Sequence, residues 1–357
     1  MRYLARTAII LLTVASAVAA AGETQQLIDD LAVDTKRASA IEALMKLGAD
    51  AEADLRKAES EQKMEPRQLL FVRRLQGDIQ VKHSPLKPLD MTSLAPFGED
   101  KEKKIEGDPD LLVDRTKKLI VMNGEFILEQ GPLEYLVVSF GPGAKLHETV
   151  VAVKPRPHDI CYALLACEYA FAGELGLDGA VNLPKDAGVM MSVEFDWETP
   201  NPEMNVTEYD KDHQAIERVI PAASKVTVRV PIEYFAWNTQ TERPMKRVPF
   251  AFTGSKFEND PETKKKVFMA DVERSLAAVK LDPYAILNSP LNTRSVNPLH
   301  ENGYSVNWRL IPRRKTKCKL VFEPYTGPEL TEEDFKDTGE KRGAGITPDW
   351  VQGKGNK

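Results

Sequence analysis

His147 and Glu148 are adjacent residues whose side chains could together form a reactive or metal-binding site. An imidazole beside a carboxylate can bind a transition metal or act as a general base. His158 and His300 could supply the further imidazoles that a zinc site requires. On a regular strand, however, alternation would direct the side chains of His147 and Glu148 to opposite faces. The alternative is a histidine and a carboxylate that fix a turn by hydrogen bonding to the backbone.

The residues around this pair match no standard catalytic motif. Thr149, Val150 and Val151 follow Glu148, so the H-E-x-x-H spacing of zinc proteases is absent. The run 141–143, Gly-Pro-Gly, lacks the following helix that a phosphate-binding loop needs, and we interpret it as a hairpin turn. These residues leave open whether the chain is an enzyme. A metal-dependent, hydrolase-like enzyme centred on His147 and Glu148 is one hypothesis.

The three cysteines, Cys161, Cys167 and Cys318, do not form a C-x2-C motif, and they are too few to hold an iron-sulfur cluster. Cys161 and Cys167 are predicted on one helix, six residues apart, where no bridge between them can form. The sequence favours buried thiols that pack as small apolar residues. One disulfide to Cys318 is the alternative.

Charge excludes one class of partner. The formal net charge is −6, and removal of Arg2 and Arg6 with a signal peptide makes it −8, which argues against nucleic-acid binding. Glu194, Asp196 and Glu198 alternate with apolar residues, which predicts a solvent-exposed acidic strand face rather than a calcium site. We expect no resident cofactor, and a transition metal only if the histidine hypothesis holds.

The N-terminus is typical of a secretory signal peptide over residues 1–21. Arg2 and Arg6 precede an apolar run, 8–18, that is too short to span a bilayer of about 30 Å as a helix. Cleavage after Ala19 or Ala21 satisfies the A-x-A rule, and we favour Ala21. The alternative is an uncleaved anchor. We therefore expect an exported protein that is periplasmic, secreted or associated with the cell envelope, with no transmembrane anchor after cleavage.

The elements that must position these residues fall into four stretches. Residues 24–80 show apolar side chains at spacings of three and four, which predicts helices, and 37–58 looks like one HEAT-type pair. One such unit cannot bury its own apolar stripe, so it needs a neighbour: the C-terminal domain, another helix or another protein. Residues 84–110 read as a proline-containing, charged linker. The tail 326–357 is predicted to be polar and disordered.

Residues 111–325 predict many strands and one helix. The helix, about 159–172, is apolar on most sides, so we expect it inside the fold. A single helix leaves no series of βαβ units to build a parallel sheet. The prediction is an α+β fold: a largely antiparallel, β-rich domain with one buried helix, preceded by a short all-α HEAT-like segment.

Within this stretch, the run GPLEYLVVSFGPGAKLHETVVAVKPRPHDICYALLACEYAFAG, Gly131 to Gly173, resembles the YdjY-domain family. The later run VPFAFTGSKF, Val248 to Phe257, and Ala270-Asp271 fit the second half of the same family. The resemblance implies an exported domain of uncharacterised activity, often found in envelope-associated bacterial proteins. With it, the main hypothesis is a non-catalytic, envelope-associated binding or interaction module whose partner is an envelope protein or a glycan.

Overall fold

The structure is a computed structural model, and it leaves parts of the chain undescribed. The predicted signal peptide, His300 and the end of the predicted tail lie outside the described residues. The described residues are 23–61, 64–82, 86–99, 106–172, 188–198, 204–209, 215–220, 225–239, 241–291, 303–328 and 330–335.

The N-terminal helices bury one shared apolar stripe. They are α1 (23–30), α2 (Asp34–Leu47), α3 (Ala49–Ser60) and α4 (Pro66–Lys82). Gly48, with φ of 57°, separates α2 from α3, as expected of glycine at a helix end. The stripe follows the three- and four-residue spacing of the sequence. Its fully buried members include Ile28, Leu31, Leu44, Leu55, Val72 and Ile79.

The described residues beyond these helices form short strands and two further α-helices, α5 (Pro157–Ala166) and α6 (Met269–Glu273). In chain order the strands are β1 Ala95–Phe97, β2 Asp108–Asp114, β3 Leu119–Phe126, β4 Tyr135–Ser139, β5 Thr149–Val153, β6 Val189–Glu198, β7 Met204–Tyr209, β8 Ala215–Ile220, β9 Lys225–Pro231, β10 Ala236–Asn238, β11 Arg243–Pro244, β12 Ala251–Phe252, β13 Phe257–Asn259, β14 Lys266–Phe268, β15 Ser275–Ala278, β16 Leu287–Asn288, β17 Tyr304–Val306 and β18 Lys317–Pro324.

One large, curled sheet dominates this mixed α/β fold. Nine of its eleven strands follow the order β12-β16-β15-β4-β5-β3-β18-β6-β9, and β2 with β1 continues from β3. The pairs are antiparallel except β4 with β5 and β15 with β16, so the prediction of a largely antiparallel sheet is confirmed. On β3 and β18, alternate side chains enter the main core and a smaller cluster on the opposite face.

The helix α5 differs from its prediction in length and in burial. It ends at Ala166, and Glu168 adopts a left-handed conformation that turns the chain away. Its buried face carries Ile160 and Leu164, but the side chains of Tyr162 and Leu165 are 60% and 50% exposed. The prediction of a buried helix is therefore wrong. The helix packs one side on the core and presents apolar residues to solvent on the other.

Two further local predictions are wrong, because strand pairing depends on residues that lie far apart in the sequence. Since β4 and β5 pair in parallel, the 141–143 loop is a crossover between parallel strands and not a hairpin turn. Glu194 is buried: its carboxylate lies 3.2 Å from Lys319 Nζ on β18 and accepts a hydrogen bond of 2.6 Å from the Leu89 N–H. The acidic face of β6 is thus partly covered rather than solvent-exposed.

The stretch 84–110 is more than a tether. It contains β1 and the start of β2, which pair antiparallel. Leu89, Met91 and Leu94 pack against the smaller cluster of the sheet, formed by Leu119, Val121 and Val321. The stretch has few apolar residues and they show no periodicity, so the sequence did not predict this packing. The packing covers a face of the sheet that would otherwise be open to solvent.

Candidate functional site

His147 and Glu148 lie in a 3-10 turn, Leu146–Glu148, directly before β5. The side chain of His147 is 81% exposed, and its Nε2 lies 3.9 Å from Glu148 Oε2. Burial, followed by the nearby Glu134 carboxylate, raises the pKa of Glu148 above its ordinary value. The pair shares a turn rather than a strand, and the histidine is directed to solvent.

His158 occupies the first turn of α5, where two carboxylates hold its ring. Its Nδ1 lies 2.6 Å from Asp271 Oδ2, and its Nε2 lies 3.1 Å from Asp159 Oδ1. Asp271 Oδ1 also accepts a hydrogen bond of 3.1 Å from the His158 backbone N–H, so this aspartate of α6 caps α5. The arrangement joins two helices.

The structure does not bring the predicted metal ligands together. His147 precedes β5 and His158 follows it, so the five-residue strand, about 17 Å long, separates them. His300 lies outside the described residues. Among the residues that the structure does describe, no group of three histidine, cysteine, aspartate or glutamate side chains is placed to hold a metal ion.

The cysteines are free thiols in surroundings that suppress reactivity. Cys167 and Cys318 are buried, and Cys161 is partly buried. Burial raises the pKa of Cys161 to about 11 and raises the pKa of Cys318 further. A nucleophilic cysteine needs the opposite shift.

The helices dock on the β domain through an ion pair held between aromatic rings. Arg309 Nη2 lies 3.0 Å from Glu59 Oε2, and both side chains are nearly buried. The Arg309 guanidinium lies 4.1 Å from the ring centre of Trp237 and 4.4 Å from that of Trp308. Arg73 of α4 also joins this cluster: its guanidinium lies 4.3 Å from the centre of the Trp308 ring, and its Nε lies 3.1 Å from Glu59 Oε1. Desolvated cation–π contacts of this kind are worth about 2 kcal/mol.

A second contact places α4 against the β domain at Gly77. A Cβ at this position would lie closer than 3.0 Å to the Arg309 carbonyl oxygen, a distance that Cβ atoms essentially never show. One residue further on, Asp78 Oδ1 accepts a hydrogen bond of 3.0 Å from the Trp197 indole N–H on β6. The sequence left three neighbours open for the HEAT-type pair, and the structure covers its apolar stripe with other helices, α1 and α4. The β domain contacts this helical unit through the ion pair and the hydrogen bond described above.

A pocket of about 570 Å³ remains between the docked helices and the sheet edge. This volume is within the range of small-molecule sites, about 300–1,000 Å³. One wall comes from α2 and α4, and the other from β6, β9 and the segment after α4. The apolar lining residues are Ile41, Met45, Phe71, Leu75, Val81, Leu86, Pro88, Trp197, Val226 and Val228.

Few polar side chains line the pocket, and α4 supplies three of them. Arg74, Asp78 and Lys82 follow each other at four-residue spacing, and Arg229 and Thr227 face them from β9. Burial raises the pKa of Asp78 to about 7 against the lowering effect of the Trp197 hydrogen bond and of Arg74. An apolar cavity with a few convergent polar groups and a shifted carboxyl is the usual form of a binding site.

Comparison of the chain with models of protein families, with curated proteins and with solved structures gives no match. The resemblance to the YdjY-domain family thus stays a prediction. In the part of the chain that the structure describes, no helix is long and apolar enough to cross a membrane.

Sequence reasoning missed this site. An arginine and an aspartate at i and i+4, as at Arg74 and Asp78, are typical of a solvated helix face. The one available signal was Trp197, which ends the alternating apolar series of Val193 and Phe195 on β6. A tryptophan at the end of an apolar strand face can close a core or line a cavity, and here it does both.

Proposed function

We propose that this chain is an exported, non-catalytic binding module of the cell envelope, and that the pocket between the helices and the sheet binds a small, mainly apolar molecule. The observation that supports the proposal is the pocket itself: a cavity of ligand size with a mostly apolar lining. His147 and Glu148, the candidate catalytic residues, are not among its lining residues.

The helical segment has a defined task in this proposal. The HEAT-like unit buries its apolar stripe against α1 and α4, and the helical segment as a whole, docked on the β domain, supplies one wall of the pocket. The ion pair between Glu59 and Arg309 and the hydrogen bond between Asp78 and Trp197 fix that wall in place. A pocket with pre-positioned walls binds a ligand without a large ordering cost.

The proposal is tested by titrating the protein that begins at Gly22 with N-phenyl-1-naphthylamine, a neutral apolar probe that fluoresces when it leaves water. We expect saturable binding at one site. The Val226→Trp variant fills the pocket from β9, where the valine side chain is 49% exposed and its replacement disturbs no core packing. Binding should weaken by about tenfold or more, which corresponds to roughly 1.4 kcal/mol.

The matched control is Val272→Trp in α6, where the valine is 48% exposed and does not line the pocket. It should bind the probe as the wild type does. Equal binding by the two tryptophan variants, or the lack of saturable binding by the wild type, would show that the pocket is not a ligand site.

A further inference from the structure

Two cationic side chains of α4 line the pocket at separate positions. Arg74 and Lys82 are eight residues apart on one helix, which places them about 12 Å apart along its axis. The pocket-lining residues between them on the same face are Leu75, Asp78 and Val81. A ligand that follows α4 therefore meets a cation at each end and mainly apolar surface between.

The cations that line the pocket differ in their partners. Arg229 donates to Ser192 Oγ at 2.9 Å and pairs with Glu323. Lys82 Nζ donates to the Met45 carbonyl oxygen at 3.3 Å. Arg74 makes no hydrogen bond or close ion pair with any other residue that the structure describes. Burial lowers the pKa of Arg74; the charge of Asp78 opposes this effect, and the charge of Arg313 adds to it.

Asp78 lies one helical turn from Arg74 and its charge acts on the guanidinium, but the two side chains form no close ion pair. The Asp78 carboxylate is turned to the indole N–H of Trp197. Because burial raises its pKa to about 7, a large fraction of the Asp78 carboxyl is protonated at neutral pH. A partly desolvated guanidinium without a close partner is a strong site for a carboxylate, which it can bind through two parallel hydrogen bonds.

We infer that the pocket binds a single-chain amphiphile with one carboxylate head, such as a fatty acid, whose head pairs with Arg74 and whose chain lies along α4 towards Lys82. The inference rests on the proposed function, because it needs the pocket to be a ligand site. Arg74 is half-buried, whereas Lys82 is exposed to solvent and hydrogen-bonded to the Met45 carbonyl, which favours a single anionic head at Arg74. The apolar lining matches the chain.

Three ligands with the same twelve-carbon chain test the inference by displacement of N-phenyl-1-naphthylamine. They are laurate, dodecanol and dodecyltrimethylammonium, which carry a negative, a neutral and a positive head. We expect laurate to displace the probe at about tenfold lower concentration than dodecanol, since a charge-assisted hydrogen-bond pair is roughly twice as strong as a neutral one. The cationic ligand should bind most weakly.

The Arg74→Gln variant should lose this preference, so that laurate binds no better than dodecanol. Its unchanged affinity for dodecanol shows that the pocket is still folded. The matched control is Lys46→Gln, which removes the same charge from an exposed position of α2 that does not line the pocket. It should keep the full preference for laurate.

The outcomes separate the inference from the proposed function. If the wild type binds the probe and dodecanol but binds laurate no better, the inference is wrong and the proposed function stands. If Lys82→Gln loses the preference and Arg74→Gln keeps it, the head lies at the other end and the inference is also wrong. If neither the probe nor any of the three ligands binds, the proposed function fails with it.

Discussion

Replacement of Gly77 by alanine distinguishes two contributions to the free energy of unfolding: the helix propensity of α4 and the packing of α4 against the β domain. A Cβ at Gly77 would lie closer than 3.0 Å to the Arg309 carbonyl oxygen, whereas ordinary contact begins at 3.4 Å. The carbonyl belongs to the backbone and cannot rotate away as a side chain can. We therefore expect α4 to move from Arg309 by roughly 1 Å, which weakens the attractive contacts around it.

The two effects of the substitution have opposite signs. In a helix without a neighbour, glycine to alanine stabilises the interior by about 1 kcal/mol. In the docked helix, overpacking costs about 1–3 kcal/mol. The displacement also strains the hydrogen bond between Asp78 and Trp197, a contact worth about 1 kcal/mol. The expected net result is a loss of roughly 1–3 kcal/mol in the free energy of unfolding.

Urea unfolding followed by circular dichroism and by tryptophan fluorescence measures this loss. Trp197, Trp237 and Trp308, three of the four tryptophans, contact side chains of α3 or α4, so fluorescence reports on docking. Ser39→Ala on the exposed face of α2 is the control, and it should stabilise by about 0.5 kcal/mol through helix propensity alone. If Gly77→Ala is stabilised as well, α4 does not pack on Arg309 as described.

Two further predictions concern buried ionisable groups. Burial raises the pKa of both Asp78 and Glu233 to about 7, so the folded state holds more protons than the unfolded state between about pH 4 and 7. The free energy of unfolding should therefore fall as pH rises through this window. The combined Asp78→Asn and Glu233→Gln variant should flatten this slope, measured by urea unfolding. An unaltered slope would contradict this assignment. The three cysteines should remain free thiols in protein recovered from an oxidising compartment. Because burial raises the pKa of Cys161, Cys167 and Cys318, these thiols should react only slowly with a thiol reagent until the protein unfolds. A disulfide found by mass spectrometry would refute the described packing.

The sequence predicts what depends on neighbours along the chain. The spacing of Leu44, Leu55 and Val72 specifies helices because 3.6-residue periodicity is a local property. Strand existence was predicted from β-branched and aromatic runs for the same reason. The parallel pairing of β4 with β5 was not predicted, because it depends on which strands become neighbours in the folded sheet.

The candidate site depends on contacts between distant segments, and this explains why it was missed. Asp78 lies 119 residues before its partner Trp197. Neither residue has an unusual local setting, so no motif marks them. His147 and Glu148 were more conspicuous, yet conspicuous residue types next to each other do not specify a pocket. The structure places them in a turn where the His147 side chain is exposed to solvent and the Glu148 side chain is mostly buried.

The ion pair between Glu59 and Arg309 joins residues 250 positions apart, and this separation has a consequence for how the chain is made. The helices are synthesised first, but the surface that covers them is complete only after Arg309 has been added. Until then, the side of α4 that carries Gly77, Asp78 and Val81 has no cover from the β domain. Contacts between residues far apart in the sequence form late in folding, and apolar surface stays exposed until they do. A chaperone that holds the N-terminal helices until the last strands arrive would therefore raise the yield of folded protein, and a chain truncated before Arg309 would lose helical docking even with every helix intact.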